Sequence, residues 1–487
     1  MPNFKSFLLI LVLVILALPV AQLRYSIFPE DPLKGYFTQS PLPDLKYFTW
    51  DRWFSQEFQQ VVTKGLNENT GFGNTTIRIR NQYDYTFFGI THSQGFLQGK
   101  DRCFYEEDYI HEYTGKYFIG RRTINEKLAR LNNVMDSLRT YNIPLILVFE
   151  PGKASFFPEN IPDSFNLKRK TISNYDYFSK RSGELGLSCI DLNRYFIRMK
   201  DTSKYPLFPR YGMHWSLYGA HIAADTLSRY VETATGSQLP DFKIESLLHS
   251  PNSLGTDYDI GELLNLFWPM TSSPGVYPQV SFNKIPDGNL PALVVADSYY
   301  INLVETYGKK MFGKQDYWYY NSSVYPHQNE TPSVKPDKSD LREKLKNYKV
   351  ILLMVSEINL HCCFWGFADE AYMAFHPEIR DSQLKKIENS IHSDREWFRF
   401  MVKKAQDTKK PLDQVIRADA DYAFLSNFQN IEGKVYEDTI QYFRINLSYN
   451  ADWIAGVTKK AHERNIPVES MMLIEAKQSY DQSKKKQ

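Results

Sequence analysis

Three short, unbroken apolar runs punctuate the chain: Leu145-Ile146-Leu147-Val148-Phe149 after Pro144, Leu293-Val294-Val295-Ala296, and Val350-Ile351-Leu352-Leu353-Met354-Val355. A continuous apolar run of this length marks a strand buried on both faces, as in a parallel sheet. Ahead of the first run, Leu128, Leu131, Val134, Met135 and Leu138 recur at helical spacing. Thr123-Ile124-Asn125-Glu126 reads as a capping box that starts this helix. The alternation of helix and buried strand predicts an α/β fold, a three-layer open parallel sheet, over residues 80–375. Polar residues follow each run at once, and ligands of open parallel sheets sit beyond the carboxyl ends of the strands. The three segments after the strands are therefore where chemistry is expected.

Outside that region the pattern changes. Phe7 to Ala21 is a solid apolar run with Lys5 before it and Arg24 after it. Its length fits a signal-peptide core and, with its flanks, approaches a membrane span. Pro19-Val20-Ala21-Gln22 is a poor cleavage site, so residues 1–25 are read as an uncleaved anchor in preference to a cleaved signal peptide. The remainder is then expected outside the cytoplasm, in the periplasm or on the outer face of the inner membrane. Residues 26–79, aromatic and broken by Pro, Asn and Gly, are read as a lead-in. Residues 376–487 hold a duplication: WFRFMVKKA from Trp397 recurs as WIAGVTKKA from Trp453, and at the same spacing Pro411 matches Pro467 and Ala420 matches Ala476. Each copy is expected to form a helical hairpin that packs or docks rather than catalyses.

Composition narrows the class without naming a reaction. Lys and Arg total 58 against 56 Asp and Glu, a net charge of +2, which argues against a nucleic-acid binder. Aromatic residues make up 15%, and Tyr and Trp pair an apolar face with a polar edge that suits sugars and interfaces. The four cysteines, Cys103, Cys189, Cys362 and Cys363, have no spacing that suggests zinc and read as buried thiols.

Candidate chemistry gathers after the strands. Asp297-Ser298-Tyr299 follows the second run, where a serine at a strand-to-helix junction lies near backbone N–H groups able to stabilise an oxyanion. Upstream, Tyr211-Gly212-Met213-His214-Trp215-Ser216 leads into a helix that Ser216 can cap, which leaves His214 in the preceding loop as a candidate general base. The first run is followed by Glu150-Pro151-Gly152-Lys153 and the third by Ser356-Glu357-Ile358-Asn359. No Gly-rich phosphate loop is present.

Together these blocks resemble the SGNH-hydrolase-like domain of alginate-type polysaccharide O-acetyltransferases, of the GDSL/SGNH superfamily. The blocks are Gly95-Phe96-Leu97, Pro151-Gly152-Lys153, Phe157-Pro158-Glu159, His214-Trp215-Ser216 with Gly219-Ala220, and Asp297-Ser298-Tyr299. The resemblance implies an SGNH, flavodoxin-like sheet with an N-terminal membrane anchor and a C-terminal helical appendage. It also implies a Ser–His–Asp relay that passes an acetyl group through a seryl acyl-enzyme to an exported polysaccharide. Ser298 would be the nucleophile and His214 the base, with Asp297, Trp215, Lys153 and Tyr299 shaping the site. A membrane-bound O-acyltransferase is the implied partner, and neither a metal nor a nucleotide cofactor is implied. The family pattern places an Asp two residues before the His, whereas this chain has Gly212. Another carboxylate then replaces it, a Ser–His pair works alone, or the site is inactive. Asp191, Asp201, Glu150 and Glu357 are the candidate replacements, with Glu357 preferred because it lies on the sheet rim. The competing readings are a catalytically silent glycan-binding or scaffold subunit, and an acetyl esterase.

Overall fold

The three apolar runs lie side by side in one sheet. The structure is a computed structural model, described here for residues 4–35, 43–270, 274–283, 290–326, 334–429, 451–464 and 466–484. Its central strands are β1 (Leu145–Glu150), β2 (Cys189–Asp191), β3 (Ala292–Ala296), β4 (Gln315–Tyr319), β5 (Ser323–Val324) and β6 (Val350–Ser356). Among the described residues they run in the order β2-β1-β6-β3-β4-β5, parallel except for the short edge strand β5. β6 sits between β1 and β3, pairing Leu353 with both Leu147 and Val295. The last long strand of the chain therefore completes the rim to which Glu150, Ser298 and Glu357 belong.

Alternate residues of these strands feed two separate cores. Ile146, Val148, Val294, Ala296, Leu352 and Met354 face one side, where helix α4 (Leu217–Thr235) contributes Ala220, Ala223, Leu227 and Val231. Leu147, Phe149, Val295, Ile351 and Leu353 face the other, against Ile124, Leu128, Leu131 and Leu138 of helix α3 (Arg121–Arg139). Burial on both faces explains why the strands read as continuous apolar runs. β2, β4 and β5 escape the sequence pattern: β2 and β5 are three and two residues long, and β4 reads Gln-Asp-Tyr-Trp-Tyr.

One local expectation changes. Helix α3 starts at Arg121 with Gly120 as its N-cap, at φ 87°, so Thr123 and Glu126 form no capping box. Thr123 instead is buried inside the first turn. The lead-in is helical, with Trp50–Phe54, Glu57–Glu68 and α2 (Gly73–Phe88) in succession. α2 and its turn pack on the last turn of α1 (Phe4–Tyr25), where Gly71 lies so close to the backbone of Pro19 and Leu23 that a Cβ there would meet the Pro19 carbonyl oxygen at 2.1 Å.

The duplicated tail forms two helix pairs, α5 (Arg395–Thr408) with α6 (Leu412–Gln429) and α7 (Ala451–Glu463) with α8 (Val468–Lys484). Equivalent positions are buried in both: Met401 and Val457, Ala405 and Ala461, Val415 and Met471, Ala420 and Ala476. An ion pair recurs as well, Lys404 to Asp419 at 2.9 Å and Lys460 to Glu475 at 3.0 Å.

Candidate active site

The strand β3 ends at Ala296, and Asp297 turns the chain into a short 3-10 turn from Ser298 to Tyr300. The Asp297 carboxylate is fully buried. One oxygen accepts from the Tyr299 backbone at 3.1 Å, which caps the turn, while the other accepts from Ser356 N (2.9 Å), Ser356 Oγ (2.6 Å) and Asn359 Nδ2 (2.9 Å). Asp297 is thus a brace between β3 and the end of β6, and it fixes the half-buried Ser298 at the rim.

His214 approaches from the other side. Ser216 caps α4 by accepting from Gly219 N at 2.9 Å, and Trp215 is fully buried with its ring against Phe196 (5.9 Å) and Tyr299 (5.1 Å). Tyr299 also lies edge-on to the His214 ring at 4.9 Å. With both neighbours pinned, His214 Nε2 comes to 2.9 Å from Ser298 Oγ. Lys153 braces the same loop from beneath: its buried ammonium donates to the carbonyls of Arg210 (3.0 Å) and Gly212 (2.6 Å). Burial depresses its pKa, a tendency opposed by Cys103 and Asp259.

The other imidazole nitrogen faces an acid that sequence reasoning missed. Nδ1 lies 3.2 Å from Asp259 Oδ2, and Asp259 Oδ1 accepts from Met213 N (2.9 Å) and Ile260 N (2.6 Å). Gly212 is what admits this arrangement. A Cβ at Gly212 would meet the Thr256 carbonyl oxygen at 2.3 Å, Pro209 Cγ at 2.7 Å and the Asp257 carbonyl carbon at 2.9 Å. The 256–259 loop fills the space where a side chain at 212 would stand, and brings its own carboxylate to the imidazole.

Glu357 does not reach His214. Its buried carboxyl accepts from Ser155 Oγ (2.7 Å) and Asn193 Nδ2 (3.3 Å) and lies against Gly152. Burial raises its pKa to about 7. Glu150 is buried beside Asp297, where burial and then the Asp297 charge push its pKa well up. Asp191 caps the helix after β2 by accepting from Arg194 N at 2.8 Å, and Asp201 is exposed. None of these four orients the imidazole. Two further groups surround the Ser298–His214 pair. Glu106 has its pKa raised to about 7 by burial and by Asp108, against the pull of His214. The Tyr320 phenol is pushed up chiefly by burial and then by Asp297, while the Ser298 hydroxyl pulls it back down. Among the described residues no group of His, Cys, Asp and Glu is arranged to hold a metal ion, and all four cysteines are unbridged.

Comparison with known proteins agrees in part of the chain. The sequence model described as the SGNH hydrolase-like domain of the acetyltransferase AlgX matches residues 96–264, a stretch that includes His214 and Asp259 and ends before Ser298. No curated protein matches the chain. Similar solved structures include the O-acetyltransferase domain of Pseudomonas putida AlgJ, 16% identical over 55% of this chain and 92% of that one, with a TM-score of 0.35. Pseudomonas aeruginosa AlgX is 13% identical over 57% of this chain and 69% of that one, at a TM-score of 0.37. Bacillus cereus PatB1 is 11% identical over 54% of this chain and 96% of that one, at a TM-score of 0.37. Over residues 96–264 the chain is thus similar to the SGNH hydrolase-like acetyltransferase family that its sequence blocks resemble.

Proposed function

We propose that the protein is an extracytoplasmic seryl O-acetyltransferase that acetylates hydroxyls of an exported polysaccharide, held at the membrane by α1. The observation that carries this reading is the contact of 2.9 Å between Ser298 Oγ and His214 Nε2, with Asp259 at 3.2 Å on the opposite ring nitrogen. A serine hydroxyl is a weak nucleophile until a base takes its proton. His214 accepts that proton at Nε2 as Oγ attacks the donor's acetyl carbonyl, and Asp259 steadies the imidazolium through Nδ1–H. The proton on Nε2 passes to the departing donor group, leaving acetyl-Ser298. An acceptor hydroxyl then attacks the acetyl carbonyl, gives its proton to Nε2, and departs as the acetyl ester while Ser298 Oγ recovers the proton. The backbone N–H of Ser298, at the head of the turn, and the Tyr320 phenol are the proposed donors to the oxyanion of each step.

Water in place of the acceptor would make the same site an acetyl esterase. Asp259 weighs against a silent binding subunit, because it supplies the orienting charge that Gly212 lacks. A membrane-bound O-acyltransferase is the proposed source of acetyl groups. Wild-type protein incubated with a chromogenic acetyl ester is expected to release the chromophore and to gain an acetyl mass on Ser298. Ser298→Ala and His214→Ala are each expected to abolish both signals. Undiminished polysaccharide acetylation in cells carrying Ser298→Ala would overturn the reading.

A further inference from the structure

Beside the loop that carries His214 lies a cavity that the acyl-transfer relay does not use. Helix α2 is clamped over the segment after residue 263: Asn81 Nδ2 donates to the Leu264 carbonyl at 3.1 Å, and Gln82 Oε1 accepts from Trp268 N at 3.1 Å. Between α2, the 96–102 hairpin and the Trp268 loop is a space of about 400 Å³, with Gln82, Tyr85, Gln98, Arg102, Tyr211 and Trp268 among its walls. Tyr211 stands three residues before His214, so one wall of the cavity and the proposed base share a loop. The size lies within the usual range of small-molecule sites.

The wall chemistry is that of a sugar site. Trp268, one of its walls, is 67% exposed, so a flat aromatic face stands open to solvent. An open indole face can stack on the apolar face of a sugar ring while its N–H stays free to hydrogen-bond. The Tyr85 hydroxyl donates to Gln98 Oε1 at 2.9 Å, which fixes that amide and leaves its nitrogen as the donor end. Arg102 has no ion pair or hydrogen-bond partner among the described residues. It also sits at φ 53° directly after Asp101 at φ 52°, two successive non-glycine residues in the left-handed region. Such backbone strain persists where the surroundings enforce it and gathers at ligand sites. A guanidinium that is held in no ion pair is a fitting partner for a carboxylate or a sulfate, either of which it can bind with two parallel hydrogen bonds.

We propose that this cavity is a carbohydrate subsite that holds an anionic segment of the acceptor glycan next to the loop that carries His214, with Trp268 as the stacking face, Gln98 as a hydrogen-bonding group and Arg102 as the partner of the anionic substituent. The subsite rests on the reading of the protein as a polysaccharide acetyltransferase, but its test needs no turnover. Full-length protein in detergent micelles is titrated calorimetrically with three hexasaccharides, one bearing carboxylates, one bearing sulfates and one neutral. At least one anionic hexamer is expected to bind, and the neutral one at least tenfold more weakly. Arg102→Gln and Trp268→Ala are each expected to weaken the anionic complex at least tenfold. Ser298→Ala is expected to bind as wild type does, which separates loss of binding from loss of acetyl transfer. Arg102→Gly relieves the left-handed backbone, so it is expected to keep the melting temperature while losing the preference for anionic sugar; this excludes misfolding as the cause. Equal binding by wild type and both Arg102→Gln and Trp268→Ala would overturn the proposal, as would equal affinity for neutral and anionic hexamers. Quenching of tryptophan fluorescence by brominated phosphatidylcholine vesicles, with no response to any hexamer, would overturn it in favour of a face that rests on lipid.

Discussion

An orienting carboxylate need only reach Nδ1; its place in the chain is free. Here the carboxylate beside Nδ1, that of Asp259, stands 45 residues after His214 rather than two before it, and the absence of a side chain at Gly212 makes the room. Asp259→Asn would keep the shape but lose the charge that steadies the imidazolium. In the Ser–His–Asp relay of serine proteases that change costs about 10⁴-fold in rate, so ester turnover here is expected to fall by roughly 10³–10⁴-fold. Glu357→Gln, which leaves the relay untouched, is expected to stay within about threefold of wild type, the ordinary scatter of a replacement away from the chemistry. Steady-state rates of the two variants on one acetyl ester decide the matter, and a larger loss in Glu357→Gln would return the orienting role to that residue. Ser298 and His214, which the structure brings into contact, stand out in the sequence because each sits in a compact block with its own local logic, a strand end and a helix cap. Asp259 does not, because contact across 45 residues leaves no mark in a single sequence. The one available signal was weak: Gly255-Thr256-Asp257-Tyr258-Asp259 clusters acids just ahead of a short helix.

At the scale of elements, the sheet could be read because its central strands are buried on both faces, and its periphery could not. Edge strands of two or three residues carry no period, and Thr123-x-x-Glu126 matched a cap whose helix begins two residues earlier, at Arg121. The rim of the sheet also sets a pH response. Glu357, in the segment after β6, is buried against Gly152 and has its pKa raised to about 7, and Glu106, ahead of the helix that follows its strand, also reaches about 7, in both cases chiefly through burial. In the unfolded chain these carboxyls titrate near 4.5. Between about 4.5 and 7 the folded state therefore holds protons that the unfolded state has released, and stability falls as pH rises. The contribution is full below the unfolded value and is lost as pH passes through the folded one. Urea unfolding of wild type is expected to show lower stability at pH 8.5 than at pH 5. Glu357→Gln, which keeps the Ser155 hydrogen bond without the ionisation, is expected to recover on the order of 1–3 kcal/mol of that difference at pH 8.5. An unchanged pH gap in the variant would show that Glu357 titrates as an ordinary exposed acid.

Across the whole molecule, the question is whether α1 stays with the protein it leads. The helix covers Phe4–Tyr25, 22 residues with a mean hydropathy of 2.7 and almost no burial over its apolar window, which is long and apolar enough to cross a membrane. A cleaved signal would be expected to end in an extended, unencumbered segment. The end of α1 is instead built into the following helices. The buried Gln22 side chain donates to the Phe28 carbonyl at 2.6 Å and accepts from Phe28 N at 3.0 Å, Gly71 packs on the backbone from Pro19 to Leu23, and Phe28 meets Phe72 at 5.9 Å. Further on, Glu30 accepts from Thr75 N at 2.9 Å and Arg78 donates to the Asp31 carbonyl at 2.8 Å. A peptidase cutting near Ala21 would have to open a helical turn against which α2 is packed. These contacts favour retention of the helix as an anchor, with α2 and the SGNH-like region held close to the bilayer surface. Intact mass of the protein purified from membranes is therefore expected to include residues 1–25, and the protein is expected to stay in the pellet after an alkaline carbonate wash. A mass beginning after Ala21, with release into the wash, would make α1 a cleaved leader and leave the acetyl-transfer site free of the membrane.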